Sequence, residues 1–246
     1  MCTVILAVRP GHDWPLLLAA NRDEMVNRAW DAPGEYWPEY PGVIAGRDRA
    51  AGGTWLGINR HGVVAAILNR PGSLGPDAAH RSRGELPLLA LAEPTAEAAA
   101  ARIAALDASL YRTFNMVLAD RTGAIFLRGL GTGHPEMVPL REGRFMVTAH
   151  DPNDISGERI AAHLPGLNDA PLPEPASGDW AGWTALLCRD FPIGAEMNIP
   201  TGGNGLPGFG TVSSALIALP AHGTPIFRFA PGRPDRASFA DIALSA

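Results

Sequence analysis

The start of the chain combines a cysteine with a cluster of charged residues at a suggestive spacing. Cys2 precedes a short apolar run, 4–8, and a second apolar run, 16–20, leads into the tetrad Asn-Arg-Asp-Glu at 21–24. The segment between the runs, 9–15, contains two prolines and a glycine, which is typical of a turn. The pattern predicts an antiparallel β-hairpin, whose beginning lies beside its end. A thiol is therefore expected next to amide, guanidinium and carboxylate groups.

Cys2 has the chemistry of a nucleophile if its amino group is free. Methionine ahead of a small residue is commonly removed, which would leave Cys2 with an α-amine of pKa about 8 beside a thiol of pKa about 8.5. One residue would then supply both nucleophile and general base near neutral pH. Such a site also needs a group to orient the amine and donors for an oxyanion. The opposing interpretation is core filling, because cysteine is often buried.

Strand alternation divides the tetrad between two faces of the hairpin. Successive side chains of a strand point to opposite faces. We predict that Asp23 partners Cys2 and that Asn21 points with it. Arg22 and Glu24 are then expected to face elsewhere.

Three more residues are candidates for a small-molecule site. Asn69 ends an almost wholly apolar run, 63–69, before a Pro-Gly strand stop, so its amide is expected to project into a pocket. Trp37 lies in the aromatic segment 25–42, which is either an irregular loop or a wall of a substrate pocket. His150 is interpreted either as a pocket residue, including a haem ligand, or as part of a strand-end polar pair.

The elements that must position these residues are antiparallel strands with a separate group of helices. Further strands are predicted at 52–59, 63–69, 114–119, 124–128, 145–148, 211–219 and 225–229. Helices are predicted after a capping box at 82–85, from the cap Thr95 to 106, at 156–163 and at 179–188, with a surface loop at 164–178. Strands and helices do not alternate, so an α+β layered fold is predicted and a parallel doubly wound sheet is not.

Composition predicts a single folded domain over 1–246. Apolar residues make up 46% of the 246 residues and charged residues 18%, which suits a globular protein with a sizeable core. The net charge of −5 argues against a nucleic-acid partner. Apolar runs are too short to span a membrane, and no signal peptide precedes the first strand.

Cysteine and histidine usage favours a reduced cytoplasmic protein with no bound metal or cofactor. Cys2 and Cys188 make no disulfide framework, and none of the 7 His residues shows a zinc-site spacing. All 20 basic residues are Arg, a bias typical of a GC-rich bacterial gene.

Six short motifs resemble one family when they are taken together and in order. They are 1–3, 21–24, 45–48, 52–57, 82–84 and 209–211, with sequences Met-Cys-Thr, Asn-Arg-Asp-Glu, Ala-Gly-Arg-Asp, Gly-Gly-Thr-Trp-Leu-Gly, Ser-Arg-Gly and Phe-Gly-Thr. The chain thereby resembles the NRDE family, also called the transport and Golgi organisation family, from its first residue to about residue 219. That family is distantly similar to the N-terminal nucleophile hydrolases of the choloylglycine hydrolase and penicillin V acylase group.

The distant similarity implies a fold and a reaction. The fold would be a four-layer αββα sandwich with mostly antiparallel sheets, and the activity cleavage of a carbon–nitrogen amide bond in a small substrate. Cys2 matches the nucleophile, Asp23 the aspartate that holds the α-amine, and Asn69 an oxyanion asparagine. Asn21, Arg22, Trp37 and His150 are then candidate substrate contacts.

Three departures from the hydrolase pattern keep a second function open. Ala20 and Val212 stand where the hydrolases have arginines, and Ala149 falls near their second oxyanion asparagine. The alternative is a non-enzymatic carrier of a hydrophobic ligand, because the resemblance associates eukaryotic family members with lipid and haem handling. Either function is compatible with a homo-oligomer.

Overall fold

The computed structural model describes residues 2–75 and 77–244 and shows two antiparallel β-sheets packed face to face. The strands are β1 (Thr3–Val8), β2 (Leu16–Met25), β3 (Trp30–Gly34), β4 (Ile44–Asp48), β5 (Leu56–Ile58), β6 (Val64–Asn69), β7 (Phe114–Asp120), β8 (Gly123–Gly129), β9 (Glu136–Leu140), β10 (Gly143–Val147), β11 (Phe209–Leu219), β12 (Ile226–Ala230) and β13 (Ala240–Asp241). The first sheet has the order β10-β1-β2-β11-β12-β13, and the second the order β3-β4-β5-β6-β7-β8-β9.

Helices cover the outer face of each sheet. They are α1 (Glu85–Leu91), α2 (Ala96–Ala104), α3 (Glu158–Asp169) and α4 (Ala181–Leu187). Leu86 and Ile103 of α1 and α2 pack with Met116 of the second sheet, while residues of α3 and α4 pack with Ile5 and Leu17 of the first. The layers are therefore α-β-β-α, which confirms the predicted sandwich. Within the described residues no helix is both long and apolar enough to cross a membrane.

The central core forms because alternate residues of the strands point between the sheets. Leu6 and Leu18 of the first sheet meet Ala66 and Val117 of the second in one buried cluster. The other face of β6 packs under α1 and α2, so this strand is covered on both sides as its apolar sequence predicts.

Several element predictions are wrong in their details. Strand β3 lies inside the predicted loop 25–42 and β4 directly follows that loop, because pairing of β4 with β3 and β5 stabilises a segment of weak strand propensity. The capping box does not form: Gly84 is the N-cap of α1, and the Ser82 hydroxyl accepts a bond from the Gly84 N–H. The predicted surface loop 164–178 begins inside α3, which contains Pro165 and ends at Asp169.

Candidate active site

Strand pairing places Cys2 beside Arg22 at one end of the first sheet. Thr3 pairs with Asn21, and Ser213 pairs with Arg22. Cys2, Arg22 and Ser213 therefore occupy one level across β1, β2 and β11. Paired residues of antiparallel strands share a face, and these three line a pocket between the sheets. We call this set the inner row.

The predicted alternation within the tetrad is present, but the prediction that Asp23 and Asn21 share the face of Cys2 is wrong. Arg22 shares the face of Cys2, whereas Asn21 and Asp23 point to the helix side of the sheet. The reason is the register: the hairpin aligns Cys2 with Arg22, and an offset of one residue reverses every side chain.

Cys2 and Arg22 of the inner row also line a large cleft. Its volume of about 540 Å³ lies within the usual range of small-molecule sites. Its lining includes the side chains Cys2, Arg22, Arg28, Asp48, Trp55, Asn69, Leu74, His80, Arg81, Arg83, Arg112, Leu206 and Phe209. Both sheets and residues 74–75 and 77–84 contribute, so the cleft exists only when the two sheets are stacked.

The Cys2 thiol is half-buried at the base of this cleft. Its Sγ lies 3.9 Å from the backbone carbonyl oxygen of Asp23 and donates a weak bond to it. Burial raises the pKa of the Cys2 thiol, and the Asp23 carboxylate raises it further, while the Arg22 guanidinium opposes the rise. The thiol therefore needs a base before it can attack. Met1, whose removal the catalytic prediction requires, lies outside the described residues.

The Asp23 carboxylate is buried in a hydrogen-bond network on the helix side. Its Oδ1 accepts from the Thr211 hydroxyl at 2.7 Å, and its Oδ2 accepts from Arg159 Nη1 at 2.9 Å. The same Arg159 nitrogen donates to the Thr3 hydroxyl at 2.6 Å. The network fixes a carboxylate beside the beginning of β1, next to the residue that follows Cys2.

A β-bulge at Val212 directs the side chains on either side of it to opposite faces of the first sheet. Thr211 pairs with Asp23 and Ser213 with Arg22, so two steps along β11 match one step along β2. Regular alternation would point Thr211 and Ser213 to the same face. The inserted Val212 instead sends Thr211 toward Asp23 and Ser213 toward Arg22, which is how bulges re-aim side chains.

Arg22 is a buried cation with incomplete pairing. Its guanidinium carbon lies 4.1 Å from the centroid of the Trp55 ring, and its Nη2 lies 3.6 Å from Asp48 and 3.9 Å from Glu24. Burial lowers the pKa of Arg22, while the Cys2 group and the carboxylates raise it. Arg22 Nη1 is buried and has no hydrogen-bond partner in the described structure.

Asn69 reaches the cleft from the second sheet. It ends β6, is half-buried, and its side-chain amide makes no hydrogen bond to any described residue. The next residue, Arg70, donates to Asn115 Oδ1 at 2.5 Å and to Asp151 Oδ1 at 2.6 Å. The chain is thus anchored directly after Asn69, and its amide is available to a ligand.

Three candidate contacts from the sequence lie elsewhere. Trp37 packs in the core under α1 and α2 and donates from Nε1 to the Gly52 carbonyl. His150 packs against Gly157, with its Nδ1 3.8 Å from Asp154 Oδ2, and does not line the cleft. The Asn21 amide donates to two backbone carbonyl groups, those of Leu187 and Met197, on the helix side.

The Ser-Arg-Gly motif builds one wall of the cleft. Arg83 donates to the Ser73 hydroxyl at 2.7 Å, the Ser73 carbonyl at 2.8 Å and the Thr113 carbonyl at 2.9 Å. Burial, with a smaller contribution from Arg112, lowers the pKa of Arg83 to about 10. No spacing in the sequence indicates this role.

Arg159, Thr211 and Ser213 were also missed by sequence reasoning. Thr211 belongs to the recognised Phe-Gly-Thr motif, which is the one available signal. Arg159 and Ser213 reach the site only through tertiary contacts. Among the described residues, no group of three His, Cys, Asp or Glu side chains is arranged to hold a metal ion.

The geometry can support nucleophilic chemistry on a carbonyl group. It offers a thiol at the base of a cleft, a fixed carboxylate behind the first strand, and an amide and a guanidinium facing the same space. These are the roles of nucleophile, orienting group and oxyanion donors.

Solved structures show that this architecture is shared with known hydrolases. The Caenorhabditis elegans ortholog of an N-acylethanolamine-hydrolyzing acid amidase is 13% identical with a TM-score of 0.60, covering 90% of this chain and 94% of that chain. A conjugated bile acid hydrolase variant from Clostridium perfringens is 14% identical with a TM-score of 0.56, covering 98% and 92%. Penicillin V acylase from Agrobacterium tumefaciens is 16% identical with a TM-score of 0.53, covering 94% and 83%. At these identities the likeness concerns the fold, which is that of N-terminal nucleophile hydrolases.

Sequence comparison gives the family. Over 157 residues the chain is 31% identical to the Transport and Golgi organization 2 homolog of Mus musculus and 33% identical to that of Bos taurus, covering 59% of this chain. The match covers 55% of each relative, so it spans about half of their length. The pattern of the family described as Transport and Golgi organisation 2 matches residues 1–142. The chain therefore belongs to the Transport and Golgi organisation 2 family.

Proposed function

We propose that this protein is an N-terminal cysteine hydrolase that cleaves a carbon–nitrogen amide bond of a small substrate. One observation carries the proposal: the Cys2 thiol lies at the base of a substrate-sized cleft, one residue away from a carboxylate network at Asp23. The solved hydrolases that share the fold make amide cleavage the first reaction to test.

The reaction would begin at Cys2 after removal of Met1. The free α-amine, oriented by Asp23, takes the thiol proton, and Sγ attacks the carbonyl carbon of the amide. Asn69 donates to the oxygen as it gains negative charge. The C–N bond then breaks, the leaving amine takes the proton, and a thioester remains on Cys2. Water hydrolyses the thioester, releasing a carboxylic acid and restoring the thiol.

The elevated thiol pKa agrees with this assignment of roles. Since burial keeps the Cys2 thiol protonated, the enzyme requires a nearby base. An α-amine has a pKa of about 8, which allows it to accept the proton near neutral pH. The activity is therefore expected to depend on a free amino group at Cys2.

A matched pair of proteins tests that requirement. One form carries a removable N-terminal extension that blocks Cys2, and protease treatment of the same preparation exposes Cys2 as the first residue. A panel of fluorogenic acyl coumarin amides with acyl chains of different length is then offered to both. We expect hydrolysis only after exposure, with a transient acyl adduct on the N-terminal peptide in intact-mass spectra.

Two cysteine variants complete the experiment. Cys2→Ala is expected to reduce turnover by about a thousandfold or more, as loss of a nucleophile does in other hydrolases. Cys188→Ala removes the other thiol, which lies at the C-terminal cap of α4, and is expected to retain activity. Full turnover by Cys2→Ala would refute the proposal.

One observation favours a second candidate function, that of a non-enzymatic carrier. Ala149, near the second oxyanion asparagine of the resembled hydrolases, is buried and offers no hydrogen-bonding side chain. The cleft would then hold a haem or a lipid-like molecule. His150 lies outside the cleft, whereas His80 lines it, so His80 is the histidine that could ligate a haem there.

A haem titration tests this candidate directly. Binding through His80 is expected to shift the Soret band of haem, and the shift should be lost in His80→Ala and kept in His12→Ala, an exposed histidine far from the cleft lining. If the wild-type protein causes no shift of the Soret band, haem is excluded as the ligand of a carrier. Ligand binding without turnover by the wild-type protein, with Cys2 exposed as the first residue, would favour a carrier.

A further inference from the structure

The inner face of the first sheet changes from apolar to polar at the level of Cys2. One level below, Ala20 pairs with Ala215, and both belong to the central core. At the inner row, Arg22 and Ser213 replace apolar residues while remaining buried, with exposures of 5% and 1%. Two polar side chains are thus enclosed where the strands would otherwise continue the core.

Both of these side chains have unsatisfied hydrogen-bonding groups. Arg22 Nη1 and Ser213 Oγ are buried and have no partner in the described part of the chain. Leaving a buried donor unpaired is costly, and native proteins rarely tolerate it. Two such donors in adjacent paired positions indicate a ligand atom that accepts from both.

The pocket beside them has the size of one small group. Its volume is about 20 Å³, and Cys2, Arg22 and Ser213 all line it. A single water or ligand oxygen needs at least about 10–15 Å³ of such space. The remaining lining is mainly apolar, with Val4 of β1 and Leu68 of β6 on opposite sides. A ligand oxygen would therefore meet these two donors in surroundings with little water.

The charge of Arg22 favours a negatively charged oxygen over a neutral one. Its nearest carboxylates, Asp48 and Glu24, lie at 3.6 and 3.9 Å and both face Nη2. Among the residues that the structure describes, none offers a counter-charge within hydrogen-bond distance of Nη1. In a site with little water, a guanidinium and a hydroxyl bind an anionic oxygen strongly.

We propose that Arg22 and Ser213 form a binding site for one anionic oxygen beside the Cys2 thiol. This oxygen has two sources with the same chemistry. It is either the carboxylate of a bound ligand or the oxyanion that forms when Cys2 adds to an amide carbonyl. The second source rests on the proposed hydrolase function, whereas the first does not.

Alkylation of Cys2 tests the carboxylate source without any substrate. The thiolate attacks the methylene carbon of iodoacetate or iodoacetamide, a C–S bond forms, and iodide leaves. The two reagents differ in bearing a carboxylate or an amide. We measure the iodoacetate-to-iodoacetamide rate ratio at Cys2 by peptide mass spectrometry, with Cys188 in the same molecule as the reference.

We expect the iodoacetate-to-iodoacetamide rate ratio at Cys2 to exceed the ratio at Cys188. In Ser213→Ala and in Arg22→Gln the ratio at Cys2 should fall about tenfold, because each variant loses one hydrogen bond that involves a charged group. Changes in thiol pKa cancel in the ratio. Ser214→Ala is the matched control, because its hydroxyl donates to Asn21 Oδ1 on the opposite face. Ser213→Ala removes an unpaired hydroxyl and is expected to keep the wild-type melting temperature.

Turnover of a neutral acyl coumarin amide tests the oxyanion source. There Ser213→Ala is expected to lower kcat about tenfold with KM nearly unchanged, because the bond forms only as charge develops. A ratio effect without any amide turnover supports the anion site and refutes the hydrolase. If Ser213→Ala and Arg22→Gln leave both the ratio and any turnover at wild-type values, the proposed site does not exist.

Discussion

At the scale of single residues, the tetrad at 21–24 works as two pairs on opposite faces of one strand. Asp23 and Asn21 are bonded on the helix side, whereas Arg22 faces the cleft with Cys2. Alternation within the tetrad can be predicted from the sequence. Which pair shares the face of Cys2 depends on the hairpin register, and the seven residues of the turn do not fix it.

Arg159 is expected to be essential for stability because it pairs with Asp23 in a buried site. Replacing it with Gln leaves the carboxylate without its 2.9 Å guanidinium partner. Breaking a buried ion pair by removing one partner costs about 3–5 kcal/mol. Urea unfolding should therefore show a loss of that size in Arg159→Gln.

The matched control for Arg159 is an ion pair on the surface of another helix. Arg102 of α2 lies 2.6 Å from Glu93, and its side chain is 43% exposed. Such pairs contribute about 0–1 kcal/mol, so Arg102→Gln should change the unfolding free energy only slightly. Equal losses in the two variants would contradict the importance assigned to the Asp23 network.

His163 is expected to make the fold sensitive to mild acid. Burial lowers the pKa of His163, although its Nε2 bond to the Ala195 carbonyl opposes this, and Arg189 and Arg159 lower it further. Below the ordinary histidine pKa of about 6.5, the unfolded chain binds a proton at this position more readily than the folded chain does. The contribution of His163 to the free energy of unfolding is therefore complete above that pKa and declines as pH falls below it. Melting temperatures between pH 7.5 and 5.5 should fall less in His163→Gln than in wild type.

An exposed histidine supplies the comparison for this pH dependence. His222 lies in the turn between β11 and β12 and is exposed. His222→Gln should leave the acid-induced fall in melting temperature unchanged. If His163→Gln also leaves it unchanged, the buried imidazole does not control stability in this range.

At the scale of elements, the sequence predicts the positions of the strands better than the position of a β-bulge within them. Continuous apolar runs correctly indicate β1, the first half of β2, β6 and most of β11, and Thr95 caps α2 as predicted. The bulge at Val212 has no comparable signal, because it arises from pairing with β2. The orientation of Ser213 therefore depends on the partner strand more than on the local sequence.

The Gly-Gly-Thr and Ser-Arg-Gly motifs contact each other through their backbones, which explains the glycine at position 53. Thr54 donates its backbone N–H to the Gly84 carbonyl at 2.8 Å. A Cβ on Gly53 would lie 2.4 Å from the backbone carbonyl carbon of Gly84. The two motifs are thus in direct backbone contact, which only glycine at 53 permits.

Gly53→Ala is expected to destabilise the protein by about 1–3 kcal/mol, the usual cost of forcing extra volume into a packed site. Gly123→Ala is the control, since a Cβ at Gly123 would meet no atom within 4 Å. That variant should be neutral or slightly stabilising. Urea unfolding of both variants measures the difference, and an unaffected Gly53→Ala would contradict the close approach of the two backbones.

At the scale of the whole molecule, the candidate site joins two sheets that are distant in sequence. Cys2 comes from the first sheet and Asn69 from the second, while Arg159 is supplied by a helix. Local sequence patterns predict an α+β fold, whereas the prediction of four layers rests on the family resemblance. The stacking that brings these residues together is non-local, and one sequence does not show it.

The pairing of β2 with β11 has a consequence for synthesis of the chain. Asn21 and Ser214 are paired partners 193 residues apart, so the first sheet cannot close at its centre until β11 has left the ribosome. Until then β2 has an unpaired edge, which is prone to aggregate, and formation of such distant contacts is slow. The nascent protein is therefore expected to depend on chaperones until β11 arrives, and the inner row forms only at that final step.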